Sequence, residues 1–148
     1  MIRKLTENDR DLYIRLAEEF YSSDAVLHPI PRTYIERTAD EALQSDAYAE
    51  IYLLECEGEP AGYGLTARTF SQEAGGSVLW IEELYIREQF RSRGLGREFF
   101  SYIEEKNKDR TARIRLEVEE ENTRAASLYE RLGYEKLDYK QMIKDLVD

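Results

Sequence analysis

The stretch from Val78 to Phe99 constrains the fold most, because a strand pattern and a helix pattern meet there at a pair of glycines. Residues 78 to 86 are rich in the apolar and aromatic types that favour β-strands. The spacing of one helix face then follows at Leu95, Phe99, Tyr102 and Ile103. The stretch predicts a central strand, a turn that contains Arg91-Ser92-Arg93-Gly94-Leu95-Gly96, and a helix that begins near Gly94.

This turn has the features of an anion-binding site. Glycine lets the backbone approach an anion closely, and the N–H groups of a first helical turn carry the positive end of the helix dipole. An acidic chain of net charge −10 also concentrates four arginines here, at Arg87, Arg91, Arg93 and Arg97. The P-loop and dinucleotide fingerprints both fail, because Gly94-Leu95-Gly96 is followed by Arg97-Glu98-Phe99. The turn predicts polyphosphate binding, and the alternative is a glycine-rich turn with solvated arginines.

The remaining patterns predict one domain over residues 1–148, with a mixed α/β sheet flanked by helices. In chain order they indicate a strand at 2–5, helices after Thr6 and over 33–43, a hairpin around 57–60, the central strand and its helix, a strand at 114–118, a helix capped at Gly133, and strand material from Tyr134 to Asp145. The unit from Trp80 to Val118 is expected to be a parallel crossover. Charged residues interleave the strand at 113–119, which a fully covered parallel strand would not tolerate.

Composition narrows the class of protein. The N-terminus lacks the apolar run of a signal peptide, so we expect a cytoplasmic protein. The negative charge disfavours nucleic acid and anionic membranes as partners and weakly favours a cationic ligand. A single histidine, His28, makes a metal site improbable. We interpret the single cysteine, Cys56, as a small buried hydrophobe and Trp80 as a core residue.

Three motifs together resemble the GNAT superfamily of N-acetyltransferases. Residues Arg91 to Gly96 match its acetyl-CoA loop, Arg/Gln-x-x-Gly-x-Gly/Ala, and Ile81 to Ile86 is similar to its central strand. Asn122 to Tyr134 resembles its Asn-x-x-Ala-x-x-Leu-Tyr-x-x-x-Gly-Phe signature. The resemblance covers about the last half of the chain and is closest to the polyamine and small-amine branch. It implies the acyl-CoA N-acyltransferase fold, a mostly antiparallel sheet that splays between the fourth and fifth strands, which would explain the charged interleaving.

The resemblance also implies how the acetyl-CoA donor is held. Backbone N–H groups of the turn would bind the pyrophosphate, with the cofactor-binding residues being Arg91, Ser92, Arg93, Gly94, Leu95, Gly96 and Arg97. Leu84 and Ile86 would pair with the pantetheine arm as another strand does, and Asn122 would help to fix that arm. No metal is implied.

Chemistry demands a base, because an aliphatic amine is almost wholly protonated at pH 7. Glu82 and Glu83 are adjacent, and a regular strand lets only one of them face the acceptor. The resemblance favours Glu82 as base, with structural use of either carboxylate as the alternative. It also implies that Tyr129 protonates the departing thiolate, although its spacing alone suits a core tyrosine. A backbone N–H near Leu84 would polarise the acetyl carbonyl.

The acceptor pocket is predicted less sharply. The loop that contains His28 borders the acceptor in this family, so Tyr21, Asp24, His28 and Glu83 are candidate acceptor-binding residues. The acceptor is an amine that the sequence does not identify. A homodimer is plausible, and the rival function is a non-catalytic acyl-CoA sensor or partner-binding domain on the same scaffold.

Overall fold

The computed structural model describes residues 1–147. Its strands are β1 (Ile2–Lys4), β2 (Ala49–Cys56), β3 (Glu59–Ser71), β4 (Gly76–Ile86) and β5 (Arg113–Leu116). Its helices are α1 (Arg10–Tyr21), α2 (Arg32–Gln44), α3 (Leu95–Asn107) and α4 (Thr123–Arg131). The predicted order of strands and helices is therefore confirmed as far as α4.

The five strands form one sheet in the order β1-β2-β3-β4-β5. The first three pairings are antiparallel, and β4 pairs with β5 in parallel. The sheet is thus mixed and mostly antiparallel, as predicted. The parallel pairing runs only from Val78 with Arg113 to Ile81 with Leu116, so β4 continues beyond the last residue of β5.

Helices cover the two faces of the sheet. On one face, α1 and α2 pack on the sheet in a core that includes Tyr13, Ile14 and Ile35 from the helices and Ile51 and Tyr63 from the strands. On the other face lies α3, whose Phe99 is fully buried and packs so close to Gly64 of β3 that a Cβ there would overlap its ring. Only glycine leaves room for the Phe99 ring at position 64, and close packing of this kind is a common reason for glycine within a strand.

A β-bulge interrupts β4 at Glu82. Leu65 of β3 lies opposite Glu83, whereas the next residue, Thr66, lies opposite Ile81, so Glu82 is an extra residue in β4. Bulges of this kind redirect side chains and are frequent next to active sites. The predicted regular alternation of β4 is therefore wrong at this point, because the register with β3 decides it and not the local sequence.

Backbone contacts divide the chain into two units, one of which is Met1–Glu117, while the other begins at Val118. In the second unit α4 is followed by a turn in which Gly133 has a φ of +93°, as the C-terminal cap predicted. Strand material was expected from Tyr134 to Asp145, and the structure assigns no strand there. A strand needs a partner for its backbone hydrogen bonds, and this unit contains no other strand within its described residues.

Two further expectations need correction. Cys56 and Trp80 are half-buried and not core residues, because Cys56 lies at the end of β2 and Trp80 lies near the outer strand β5. Within residues 1–147, none of the helices combines the length and apolar character needed to cross a bilayer.

Candidate active site

The turn before α3 has the backbone shape predicted for an anion-binding loop. Ser92 and Gly94 both have positive φ, of 63° and 82°, and Gly94 is the N-cap of α3. The first helical bond of α3 joins the Glu98 N–H to the Gly94 carbonyl at 3.0 Å, so the N–H groups just before it have no helical acceptor. Positive φ at two nearby residues points the N–H groups of the turn towards one side, which suits the binding of a phosphate.

The arginines around this turn are less available than their clustering predicts. Arg87 donates to both carboxylate oxygens of Glu19, at 2.7 and 3.0 Å, and Arg91 Nε donates to the Ile86 carbonyl at 2.9 Å. Arg93 lies over the Phe90 ring at 5.5 Å. Arg97 is exposed in the first turn of α3. Backbone N–H groups therefore provide the more regular anion site, and Arg93 and Arg97 add positive charge at its rim.

The C-terminal half of β4 lies beside this turn. A Cβ placed on Gly96 would lie 3.8 Å from a methyl of Ile86 and 3.9 Å from a methyl of Leu84, so the turn rests against these two side chains. Leu84 and Ile86 pair with β3 on one side, and β5 has already ended on the other. The structure thus brings together the predicted phosphate loop and the predicted pantetheine strand.

Glu83 is held in place on the other face of β4. Its carboxylate accepts hydrogen bonds from the Tyr21 hydroxyl and, at 2.7 Å, from the Tyr63 hydroxyl. Burial and the negative charge of Glu83 raise the pKa of Tyr63, and burial with the Glu83 hydrogen bond raises the pKa of Tyr21, so both hydroxyls keep their protons. The pair ties the end of α1 to the central strand, which gives Glu83 a positioning role.

Glu82 is the more available carboxylate. It is exposed at the bulge, and among the described residues no hydrogen bond or ion pair engages it. The surrounding protein desolvates it, and Glu117 and Glu83 add negative charge, so the pKa of Glu82 is raised above its ordinary value. A carboxylate with a raised pKa and no fixed partner suits a general base near neutral pH.

The Glu117→Gln variant tests the electrostatic part of this arrangement. Removing the Glu117 charge should lower the pKa of Glu82, because Glu117 is the largest charge that raises it. The acidic limb of the pH profile of kcat/KM should therefore move to lower pH, as measured by coenzyme A release. Glu73→Gln is the control, since Glu73 pairs with Arg113 and does not contribute to the shift of Glu82. An unchanged acidic limb would contradict the assignment of Glu82 to that limb.

Two predicted site residues lie in the second unit. Asn122 is the N-cap of α4, and its side-chain oxygen accepts from the Ala125 N–H at 3.2 Å. Tyr129 is on α4, its ring meets the Tyr134 ring edge to face at 6.2 Å, and burial raises the pKa of its hydroxyl. A tyrosine with a raised pKa stays protonated throughout the neutral range, as a proton donor must.

Asp24 and His28 are exposed in the loop between α1 and α2, and their contacts with an acceptor stay predictions. The sequence analysis missed Tyr63, which fixes Glu83, and Glu117, which acts on Glu82. Glu117 had a signal, because it was one of the charges that interleave the fifth strand. Tyr63 had none, since its contact depends on the register between β3 and β4.

The chain is similar to known acetyltransferases in sequence and in fold. The chain is 27% identical over 151 residues to a thialysine N-epsilon-acetyltransferase of Bos taurus, which covers 93% of this chain and 85% of that relative. It is 29% identical over 128 residues to a spermine/spermidine N(1)-acetyltransferase of Bacillus subtilis (strain 168), covering 77% and 83%. The structure of AAC(6')-Iy with the bisubstrate analogue CoA-S-monomethyl-acetylneamine has the same fold, with a TM-score of 0.80 at 16% identity, covering 99% and 98%.

The fold and the turn define an acetyl-CoA-dependent N-acetyltransferase. The model of the acetyltransferase (GNAT) family matches residues 11–134, and the chain belongs to this family. Its donor is acetyl-CoA, and the residues present fit it. The turn at Ser92 to Gly96 offers backbone N–H groups to a diphosphate, and the C-terminal half of β4 offers strand backbone to a pantetheine arm.

Proposed function

We propose that this chain transfers the acetyl group of acetyl-CoA to the primary amine of a small aliphatic acceptor, by direct attack in a ternary complex. The observation that carries the proposal is Glu82, which lies at the bulge of β4 with a raised pKa and two further carboxylates close by. Carboxylates attract an ammonium group and can take its proton. The names of the thialysine and spermine/spermidine relatives support an aliphatic amine as acceptor.

Each residue has one part in this proposed reaction. Glu82 accepts a proton from the acceptor ammonium, which leaves a neutral amine. Acetyl-CoA supplies the thioester carbonyl carbon to which the amine nitrogen bonds as the carbon–sulfur bond breaks. A backbone N–H near Leu84 donates to the carbonyl oxygen as negative charge develops there, and Tyr129 gives its proton to the departing sulfur. The nitrogen loses its second proton as the amide forms; that proton restores Tyr129 through solvent, and the proton on Glu82 leaves to solvent. The turn at Ser92 to Arg97 and the side chain of Asn122 hold the coenzyme, while Tyr21, Asp24, His28 and Glu83 border the acceptor.

A panel of amines tests the proposal directly. Purified protein is mixed with acetyl-CoA and a diamine, a polyamine, L-lysine, an aminoglycoside or a peptide, and release of coenzyme A is followed with a thiol reagent. Saturable release with aliphatic primary amines is expected. Binding of acetyl-CoA without release for any amine would favour the sensor function instead.

The Tyr129→Phe variant tests the proton donor. A thiolate is already a fairly good leaving group, since a thiol has a pKa of about 8.5, so loss of the donor should lower kcat by only about tenfold. The loss should be constant through the neutral range, where the raised pKa keeps the proton on Tyr129, and should shrink at alkaline pH as the wild-type tyrosine loses that proton. Identical turnover and an identical pH profile in the variant would rule out the donor role.

The predicted cytoplasmic location and homodimer belong to the same proposal. Sedimentation of the purified chain at several concentrations checks the dimer.

A further inference from the structure

Arg115 and Trp80 form a stacked pair beside the candidate base. They lie opposite each other in the parallel pairing of β5 and β4, and the guanidinium carbon of Arg115 is 4.2 Å from the centroid of the Trp80 ring. Both residues are half-buried. Stacking on an indole face fixes the plane of a guanidinium while its N–H groups stay free to donate.

The charge of Arg115 is not matched by a carboxylate. Its neighbour on the strand, Arg113, has Glu73 at 3.5 Å, but among residues 1–147 no acidic group lies within ion-pair distance of Arg115, and no hydrogen bond engages it. The chain has 31 acidic and 21 basic residues, so carboxylates are plentiful. A held arginine without such a partner in this chain is a site for an external anion.

Arg115 lies on the same face of the sheet as the Glu83 carboxylate. Trp80 is opposite Ala67, which is two residues from Leu65, and Leu65 packs on the core below α1 and α2. Glu83 points to this face as well, since it bonds Tyr21 of α1 and Tyr63 of the same core. Glu82 is the extra residue of the bulge beside Glu83, and it lies near enough to Tyr21 for its negative charge to raise the pKa of that tyrosine.

The positions of Trp80 and Glu82 along β4 suggest the length of a ligand that reaches from one to the other. Trp80, over whose ring the Arg115 guanidinium lies, precedes Glu82 by two residues along β4, and two residues of strand rise by roughly 6 to 7 Å. Carbon–carbon bonds are about 1.5 Å long, so an extended spacer of four or five carbon-sized atoms covers this length. That is the separation between the terminal amine and the α-carbon of a lysine-like amino acid.

We propose that Arg115 binds the carboxylate of an acceptor whose terminal amine lies at Glu82, so that the chain selects a free ω-amino acid of about the length of lysine over the corresponding diamine. The inference rests on the proposed function and names its acceptor class. Arg115 acts through binding, and it takes no part in proton transfer. A diamine of the same length has no carboxylate for the guanidinium, and nothing would offset the repulsion between that guanidinium and its second ammonium.

Two acceptors that differ only in the carboxylate give the test, L-lysine and 1,5-diaminopentane. We expect the wild-type chain to have the higher kcat/KM for L-lysine. Arg115→Gln should raise KM for L-lysine so that kcat/KM falls about 10- to 100-fold, the loss typical of a hydrogen-bonded charge pair. It should leave the value for 1,5-diaminopentane unchanged or higher. Arg113→Gln is the matched control, since it removes an arginine from the same strand that already has a carboxylate partner.

Fluorescence of Trp80, the single tryptophan, provides a readout that does not depend on turnover. Titration with L-lysine or with norleucine, which has the carboxylate but no terminal amine, should change the emission saturably. Titration with 1,5-diaminopentane should change it much less, and Arg115→Gln should abolish the amino-acid response. If Arg115→Gln does not fold, Arg115→Lys keeps the positive charge without the planar fork and should lose part of the selectivity.

The outcomes separate the two proposals. If no coenzyme A is released with either acceptor or with any other amine, both the proposed function and the role of Arg115 are overturned. Suppose that coenzyme A is released with both acceptors, but Arg115→Gln lowers kcat/KM equally for the two or leaves it unchanged for L-lysine. Either result would overturn the role of Arg115 and leave the proposed function standing. A wild-type preference for 1,5-diaminopentane would do the same.

Discussion

The Glu82→Gln variant should lose about 100- to 10,000-fold in kcat/KM for amine acceptors at neutral pH, the range typical of general base catalysis. Glutamine keeps the size of the side chain and removes its ability to take a proton. The acidic limb of the pH profile should disappear with it. Coenzyme A release measured from pH 5.5 to 9, with acetyl-CoA saturating, gives both quantities.

Glu83→Gln is the control for this variant, because it changes the adjacent residue in the same way. Its side-chain oxygen can still accept from Tyr21 or Tyr63, so activity should fall much less than in Glu82→Gln. A greater loss in Glu83→Gln than in Glu82→Gln would reverse the assignment of the base.

Stability distinguishes lost chemistry from lost folding. The pKa of Glu82 is raised in the folded chain, so the folded state binds the proton more tightly than the unfolded state does. The stabilising effect of that proton is complete below the unfolded pKa and is lost as the pH rises through the folded pKa. A neutral glutamine avoids the loss, so Tm at pH 7 should be equal or higher in Glu82→Gln, as thermal denaturation can check.

The Gly62→Ala variant should have the largest effect on folding. A Cβ at Gly62 would overlap the backbone carbonyl of Tyr85 in the neighbouring strand, and backbone cannot move aside as a side chain can. Overpacking usually costs about 1–3 kcal/mol, so we expect a loss of about 3 kcal/mol or more in the free energy of unfolding. Urea denaturation followed by circular dichroism measures it.

Gly96→Ala is the matched control for stability. The added Cβ would meet only methyl groups, at 3.8 and 3.9 Å, and alanine is the better helix former. Its free energy of unfolding should stay equal or rise slightly. Equal effects of the two substitutions would contradict the strand contact at Gly62.

Most of the fold follows from local patterns. The apolar repeat of α3, the turn at Glu57 to Pro60 and the cap at Gly133 each depend on residues close together in sequence, and each is found where it was predicted. The turn at Arg91 to Gly96 belongs to the same group. Its position between a strand and a helix was enough to predict that α3 begins near Gly94.

The bulge at Glu82 shows where sequence patterns stop. It arises because β3 and β4 are out of register by one residue beyond Thr66, and nothing in either strand alone specifies that. Regular alternation does not apply to Glu82 and Glu83, because Glu82 has no partner in β3 while Glu83 pairs with Leu65. The motif predicts that the base is one of these two carboxylates, and the bulge explains how two consecutive carboxylates differ in availability.

The sequence analysis interpreted Trp80 and the charged residues of β5 separately. The pairing of Trp80 with Arg115 explains why the tryptophan is outside the core and why β5 tolerates this arginine. An arginine every second residue would be costly in a covered strand, but Arg113 has a carboxylate at 3.5 Å and Arg115 lies on Trp80. The aromatic ring is thus partly shielded by a cation and not by a core. Cross-strand partners of this kind depend on the register of β4 with β5.

The early end of β5 has a consequence for handling the protein. Beyond Ile81, β4 lies next to β3 alone in the sheet, although it is an inner strand at its start. An open strand edge is a template on which other chains can add and aggregate. We expect dilute acetyl-CoA in storage buffers to reduce aggregation of the purified enzyme, since a bound pantetheine arm would cover that edge.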